Sequence, residues 1–336
     1  MKNQSSVLFL GLLLLQVGII KAGSGFSQSH ILSGRVRETM PENPNSNSLY
    51  FARPAAIGHD HDHIYGLDSI DSEIRVFSKS GAFLYAVGKK GQGPGEFDGP
   101  NDFWLDDGKI YVSDAGNGRV QILDRKGRYL GGFKLKCFPH KILVLDDKTV
   151  VVSHLPSATP GEFLRKEKLV QGYTSSGDLV WEAVDSLSDG DPVFETMQNR
   201  HVLKAFSGGF YFIRKCNDPL ARLVDNQGKI VRTIAVDKKF EWKTIAVPAR
   251  RGKKRRLSGL FWDCDTSGDF LYFLVPEFAP NGDIVAGRSL AVFKPDGGLA
   301  GRIDLPVQVN KISVDGPRIY VVDADYKMRI FLTEIK

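Results

Sequence analysis

The residues with the widest chemical reach are seven histidines and one dense cluster of cations. His59, His61 and His63 lie in the run HDHDH. Alternate residues of an extended chain point the same way, so three imidazoles have the spacing to converge on a metal. The segment reads equally as a polar hairpin tip facing water. His140, His201 and Asp102 form a second candidate donor set, with Asn101 and Asn310 assisting. One divalent ion held there, calcium or zinc, would act as a Lewis acid or activate water. Arg250, Arg251, Lys253, Lys254, Arg255 and Arg256 fall within RRGKKRR. This run suits an acidic glycan or an anionic head group, or else is a solvated loop. No aromatics interleave it, so base stacking is not expected and nucleic acid is not the expected partner. Asp68, Asp114 and Asp323 are trailed by Arg75, Arg119 and Arg329. Repeated carboxylates permit acid–base chemistry. Repetition fits turn capping and ion pairing better, because a single active site needs no copies.

Several chemistries lack their motifs. The chain has no G-x-S-x-G elbow, no H-E-x-x-H, no Walker loop and no EF-hand loop. GQGPGEF is glycine-rich but leads into a strand pattern, so it is not a phosphate cradle.

The 336 residues are 42% hydrophobic and 25% charged, which is ordinary for a globular chain. The net charge of +6 is local. Without the six cations of RRGKKRR, 39 Lys and Arg face 39 Asp and Glu. Lys2, the apolar stretch Val7 to Ile20 and the small residues after Lys21 read as a secretory signal peptide. The apolar core is short for a stable span. The expected organisation is a leader over 1–25 and one domain over 26–336, placed outside the cytoplasm, periplasmic or secreted, and monomeric. Cys137, Cys216 and Cys264 have neither zinc spacing nor a disulfide framework. They read as three buried thiols, or as one bridge with a free thiol.

The elements that must position these groups come from an internal repeat. A β-rich core recurs as Ile64-Tyr65, Ile110-Tyr111, Val150-Val151, Phe210-Tyr211, Leu271-Tyr272 and Ile319-Tyr320. A glycine turn recurs at Gly81, Gly127, Gly177, Gly228 and Gly297. Four short strands per copy, bounded by Asp, Asn and Gly, predict an all-β, six-bladed β-propeller. The last copy stops after its third strand. The segment His30 to Thr39 is expected to supply the missing one and lock the ring.

Gly91 to Phe97, Pro100, Ile110-Tyr111-Val112, Asp114 and Arg119-Val120 together resemble an NHL repeat. Copies one and six keep most of this pattern, and the middle copies keep the hydrophobic skeleton and the glycine. The resemblance implies a six-bladed propeller of the secreted bacterial kind. Relatives of that kind include binding domains, an amidating lyase and lactonase-like hydrolases, so the fold does not choose an activity.

In such a ring the residues leading into each first strand surround one channel mouth. Aligned copies place Arg53, Asn101, Asp102, His140, Lys141, Arg200, His201, Asn310 and Lys311 there. This set is polar and mostly cationic. Long connections at 154–168, 185–199, 237–257 and 276–288 are expected on the same face. The preferred expectation is a binder of a protein, polysaccharide or other anionic ligand, without catalysis. The alternative is a metal-dependent lyase or lactonase-like hydrolase in the channel.

Overall fold

The computed structural model describes residues 34–39, 46–156, 167–188, 191–217, 220–235, 244–248, 254–258, 261–280 and 283–335. The leader expected over 1–25 lies outside the described residues. The first described strand is β1 (Gly34–Thr39). A four-stranded antiparallel sheet follows: β2 (Pro54–His59), β3 (His63–Asp68), β4 (Glu73–Ser78) and β5 (Phe83–Val87). The next is β6 (Asp102–Asp106), β7 (Lys109–Asp114), β8 (Arg119–Asp124) and β9 (Tyr129–Lys134). A third holds β10 (Pro139–Val144), β11 (Val150–His154), β12 (Lys168–Tyr173) and β13 (Leu179–Asp185). Helix α1 (Pro192–Gln198) leads to the fourth: β14 (His201–Phe206), β15 (Gly209–Arg214), β16 (Leu220–Asp225) and β17 (Ile230–Ala235). A two-stranded ribbon, β18 (Thr244–Pro248) and β19 (Lys254–Ser258), stands apart. The remaining strands are β20 (Asp263–Ser267), β21 (Phe270–Phe278), β22 (Ile284–Phe293), β23 (Leu299–Asp315), β24 (Arg318–Asp323) and β25 (Met328–Ile335). With β1 they form one seven-stranded sheet, because β23 serves twice. Residues 299–304 pair with β22 and residues 309–315 pair with β24. At its far edge β1 pairs with β25, from Gly34 opposite Ile335 to Thr39 opposite Ile330. The part of the segment before residue 34 lies outside the described residues.

The second strand of each copy is buried along its length, as in β7, where Ile110 to Asp114 are all buried. The fourth strand is largely exposed, as in β9 and β17. A strand covered on both faces reads as a continuous apolar run, which is why the Ile-Tyr core recurs. Side chains from neighbouring sheets share each core cluster. Tyr65 and Val76 pack with Phe103 and Val112. Leu143 and Val170 pack with Leu203 and Phe212. Leu49, Phe51 and Ile64 pack with Tyr320 and Met328, so the first sheet also meets the last. Truncating a fully buried ring such as Phe210 to Ala costs about 3–5 kcal/mol.

The repeated turn glycine has two reasons. Gly81, Gly127, Gly177, Gly228 and Gly297 all have φ between 78° and 96°. That region strains any residue with a Cβ. The turn also presses on the preceding sheet. A Cβ at Gly177 would lie 2.5 Å from Phe133, and one at Gly228 2.6 Å from Trp181.

Among the described residues, parts of the expected long connections are regular structure. Most of 276–288 is strand, because Glu277 pairs with Val285 and Phe278 with Ile284. The stretch 185–199 contains α1, capped by the Asp191 carboxylate accepting from the Phe194 N–H. The cationic run does not lie wholly in a loop. Lys254, Arg255 and Arg256 belong to β19, paired with Pro248, Val247 and Ala246. Arg250, Arg251 and Lys253 lie outside the described residues, as does 157–166.

Candidate functional site at the channel mouth

A pair of residues stands at the start of each first strand. The pairs are Arg53-Pro54, Asn101-Asp102, His140-Lys141, Arg200-His201, Trp262-Asp263 and Asn310-Lys311. A one-residue bulge interrupts β10 after Pro139 and β23 after Val309, leaving His140 and Asn310 as the extra residues. Such bulges re-aim neighbouring side chains. The result is a division by depth. Arg53, Arg200, Trp262, Asn310 and Lys311 line a cavity of about 520 Å³ at the mouth. Asp102, Lys141, Asp263 and Lys311 line a void of about 40 Å³ beneath it, with Lys204. Lys311 belongs to both levels.

The mouth cavity joins an apolar wall to a cationic rim. Phe261, Trp262, Leu257 and Met197 supply much of the wall. Arg53, Arg200, Lys215 and Lys311 supply the charge, and no Asp or Glu is among its described lining residues. Local structure fixes these groups. Asn199 is fully buried between α1 and the preceding segment, donating to the Leu187 and Glu195 carbonyls, and it sets where Arg200 emerges. Ser258 donates its N–H to the Asn217 side-chain oxygen at 2.9 Å, which docks β19 and places Leu257 in the wall.

The throat is a lattice of lysines and carboxylates. Lys204 Nζ lies 2.9 Å from Asp265 Oδ1, and Lys141 Nζ 3.6 Å from Asp102 Oδ1. The Asp263 carboxylate accepts the Ile312 N–H at 3.1 Å. Burial pulls Lys204 down, but Asp265 and Asp263 outweigh it and raise the ammonium above its ordinary range. Burial pushes Asp263 up, but Lys311, Lys215, Lys204 and Lys141 together hold it low. For Lys215 the carboxylate does not outweigh burial. Its Nζ donates to the Trp262 carbonyl at 2.6 Å. Burial, then the charges of Lys311, Lys141 and Arg200, lower it to about 7, with Asp263 opposing. Lys311 is lowered for the same first reason.

The sequence-derived residues divide accordingly. Arg53, Arg200, Asn310 and Lys311 meet at the mouth, and Asp102 and Lys141 meet below. Asn101 instead donates to the Pro139 carbonyl at 3.1 Å and holds two sheets together. His201 is fully buried and donates or accepts at both nitrogens, 2.8 Å from the Asn199 carbonyl and 2.7 Å from Ser153 Oγ. Burial pushes it down to about 3. His140 lies edge-on to it at 5.6 Å between ring centroids, and burial lowers it well below the usual imidazole range. Asp102 is engaged by Lys141 and the Ile142 N–H. The set His140, His201 and Asp102 therefore does not fit a metal: both His201 nitrogens are committed. Among the described residues no group of three or more His, Cys, Asp or Glu is placed to hold one. His59, His61 and His63 do not converge either. His59 reaches Ser313, and His61 pairs with Asp62. The cysteines are free thiols, with Cys216 and Cys264 buried.

Lys204, Lys215, Asp263 and Asp265 escaped the sequence reading. Asp263 had a usable signal, since Trp262-Asp263 occupies in the fifth copy the place that Asn101-Asp102 occupies in the second. Lys215 follows a second strand rather than leading a first one, so the alignment of copies does not reach it.

A family model described as a 6-bladed beta-propeller matches residues 46–154. NHL repeat-containing protein 3 of Homo sapiens is 33% identical over 98 residues, 27% of this chain and 28% of that protein. This chain thus matches little more than a quarter of that relative's length. Among solved structures, a Bacteroides fragilis protein described as exported superposes with a TM-score of 0.58 at 12% identity, over 91% of this chain and 96% of that one. Streptogramin B lyase superposes with a TM-score of 0.52 at 11% identity, over 89% and 97%. At these identities the likeness is one of fold, and the fold is a β-propeller with four-stranded blades.

Proposed function

We propose that this chain is an extracytoplasmic, monomeric, six-bladed propeller that binds an anionic, partly apolar ligand at its channel mouth, without turnover. The single observation behind this reading is the mouth cavity: four cations, an apolar wall and no carboxylate in its described lining. A cavity of this size and mixture suits a small ligand, or an acidic group carried by a protein or polysaccharide. Lys215 and Lys311 are half-buried, where attraction for an anion is less screened, and Arg53 and Arg200 stand exposed at the rim. Six blades follow if β23 is divided between two blades and β1 serves as the fourth strand of the last, which its pairing with β25 supports. One domain after a cleaved leader is the matching organisation. No described helix is long and apolar enough to cross a membrane. A metal-dependent lyase or hydrolase has less support, because no donor set assembles among the described residues.

The test is calorimetric titration of the purified chain with 3-phenyllactate and with its uncharged methyl ester. The acid is expected to bind at least about tenfold more tightly than the ester, with the advantage shrinking as salt is added. Equal affinity for the two, or no binding of either, would overturn the anion-binding reading.

A further inference from the structure

Lys215 differs from the other three cations of the mouth in how it is held. It is the residue after β15, and it faces the cavity beside Lys311. Its hydrogen bond runs to a backbone carbonyl, that of Trp262, and not to a carboxylate. The other two channel lysines with ion pairs, Lys141 and Lys204, have Asp102 and Asp265. An amine withdrawn from water, next to other cations and held by one neutral acceptor, is the arrangement that turns lysine into a nucleophile. The Trp262 carbonyl orients the amine without protonating it, and the Trp262 and Phe261 rings wall the same space.

We infer that Lys215 captures the carbonyl carbon of an aldehyde or 2-oxo acid as a reversible imine, with Arg53, Arg200 and Lys311 holding the ligand's carboxylate. This inference rests on the anion-binding reading and extends it to a ligand class. The neutral amine attacks the carbonyl carbon and forms the C–N bond. Its protons pass to the carbonyl oxygen, which leaves as water, and the imine remains. No oxidant or reductant is consumed, and hydrolysis reverses the step. The groups that set the amine's charge are Lys311 on β23, Lys141 on β10, Arg200 before β14 and Asp263 on β20, with Lys311 the strongest after burial itself. At neutral pH about half of such an amine is free base, against well under a hundredth of an exposed lysine.

The experiment treats the purified chain with phenylpyruvate and sodium cyanoborohydride, which traps an imine as a stable secondary amine. Peptide mapping by mass spectrometry then locates the adduct, alongside titration with 3-phenyllactate, which cannot form an imine. The expected result is an adduct at Lys215, formed at least about tenfold faster at pH 7 than at any other lysine, with a rate that rises through pH 7. Lys215→Arg keeps the charge and is expected to abolish that adduct. The wild-type map decides even if this variant does not fold. Phenyllactate binding with no adduct at Lys215, or with labelling spread evenly over exposed lysines, would overturn the imine and leave the anion site standing. If neither compound engages the cavity, both readings fall.

Discussion

Two sets of charged residues in this molecule look alike in composition and differ in what they are left to do. The first is the aspartate at the end of each well-kept second strand. Asp114 is fully buried and accepts from the Asp98 N–H at 2.8 Å, from Asn117 and Gln121, and from Arg119 Nε at 2.7 Å. Asp68 takes the Ile70 and Asp71 N–H groups, and Asp323 takes those of Asp325 and Lys327 with Arg329 Nε at 2.5 Å. Every such carboxylate is saturated, and its charge is consumed in holding a turn. The second set is the channel, where Lys141, Lys204, Lys215 and Lys311 outnumber Asp102, Asp263 and Asp265. There the surplus is cationic and faces a cavity. Paired charge that repeats serves the ring, and unpaired charge that occurs once is free to meet a ligand.

The largest effect that would break this contrast lies in the turn set. Asp114→Ala strands the Arg119 guanidinium, Asn117 and Gln121, and is expected to cost about 3–5 kcal/mol. A thermal melt should show Tm falling by roughly 5–15 °C. A fall of only a degree or two would deny the turns their structural role. At the mouth the expectation inverts. Arg200→Ala should leave Tm almost unchanged, because the side chain is exposed. Phenyllactate binding should weaken by about 10–100-fold, the worth of a charge-assisted hydrogen bond. Unaltered calorimetric affinity would remove Arg200 from the site.

A subtler effect concerns pH. Lys215 falls to about 7 in the folded chain, mainly through burial, while the unfolded side chain keeps its ordinary value near 10.5. Below pH 7 both states carry the proton and the full cost of a buried charge is present. Between 7 and 10.5 the unfolded state holds more protons, so stability rises with pH across that window. Lys215→Met should therefore be more stable than the wild type at pH 6, by on the order of 1–3 kcal/mol. Urea midpoints should converge as pH climbs toward 10. A variant that is less stable at pH 6 would show that the lysine is not under strain. The smallest effect belongs to the ribbon. Replacing Lys254, Arg255 and Arg256 with Ser is expected to change stability by less than about 0.5 kcal/mol. The variant should elute from a heparin column at lower salt. Unchanged elution would remove the run from any polyanion contact.

Much of the architecture was legible because repetition amplifies weak signals. One such β-rich pair means little, but six in register predict a recurring second strand. Five turn glycines at one place predict a repeated turn, to which the structure adds the positive φ and the close approach at Gly177 and Gly228. The mouth was legible in part, because Arg53, Arg200, Asn310 and Lys311 follow from where first strands begin. His140 and His201 misled for a physical reason. Two histidines near the starts of successive first strands suggest ligands, yet burial and the committed nitrogens of His201 make that ring a packing and hydrogen-bonding element. The connection 276–288 misled because Pro276, Pro280 and Asn281 look like loop residues, while the flanking pairs extend β21 and β22.

The sequence alone determined the class of fold, the turn positions, the neutrality of the body outside one basic run and the cationic bias of the mouth. These properties depend on local residue type and on periodicity, and neither needs a third dimension. The tertiary structure decided which charges are spent and which remain. Lys204 and Lys215 lie eleven residues apart, and only the packing of neighbouring sheets brings Asp265 to the first and Lys311 to the second. A side chain's charge is a property of its type, but its availability depends on neighbours tens to hundreds of residues away.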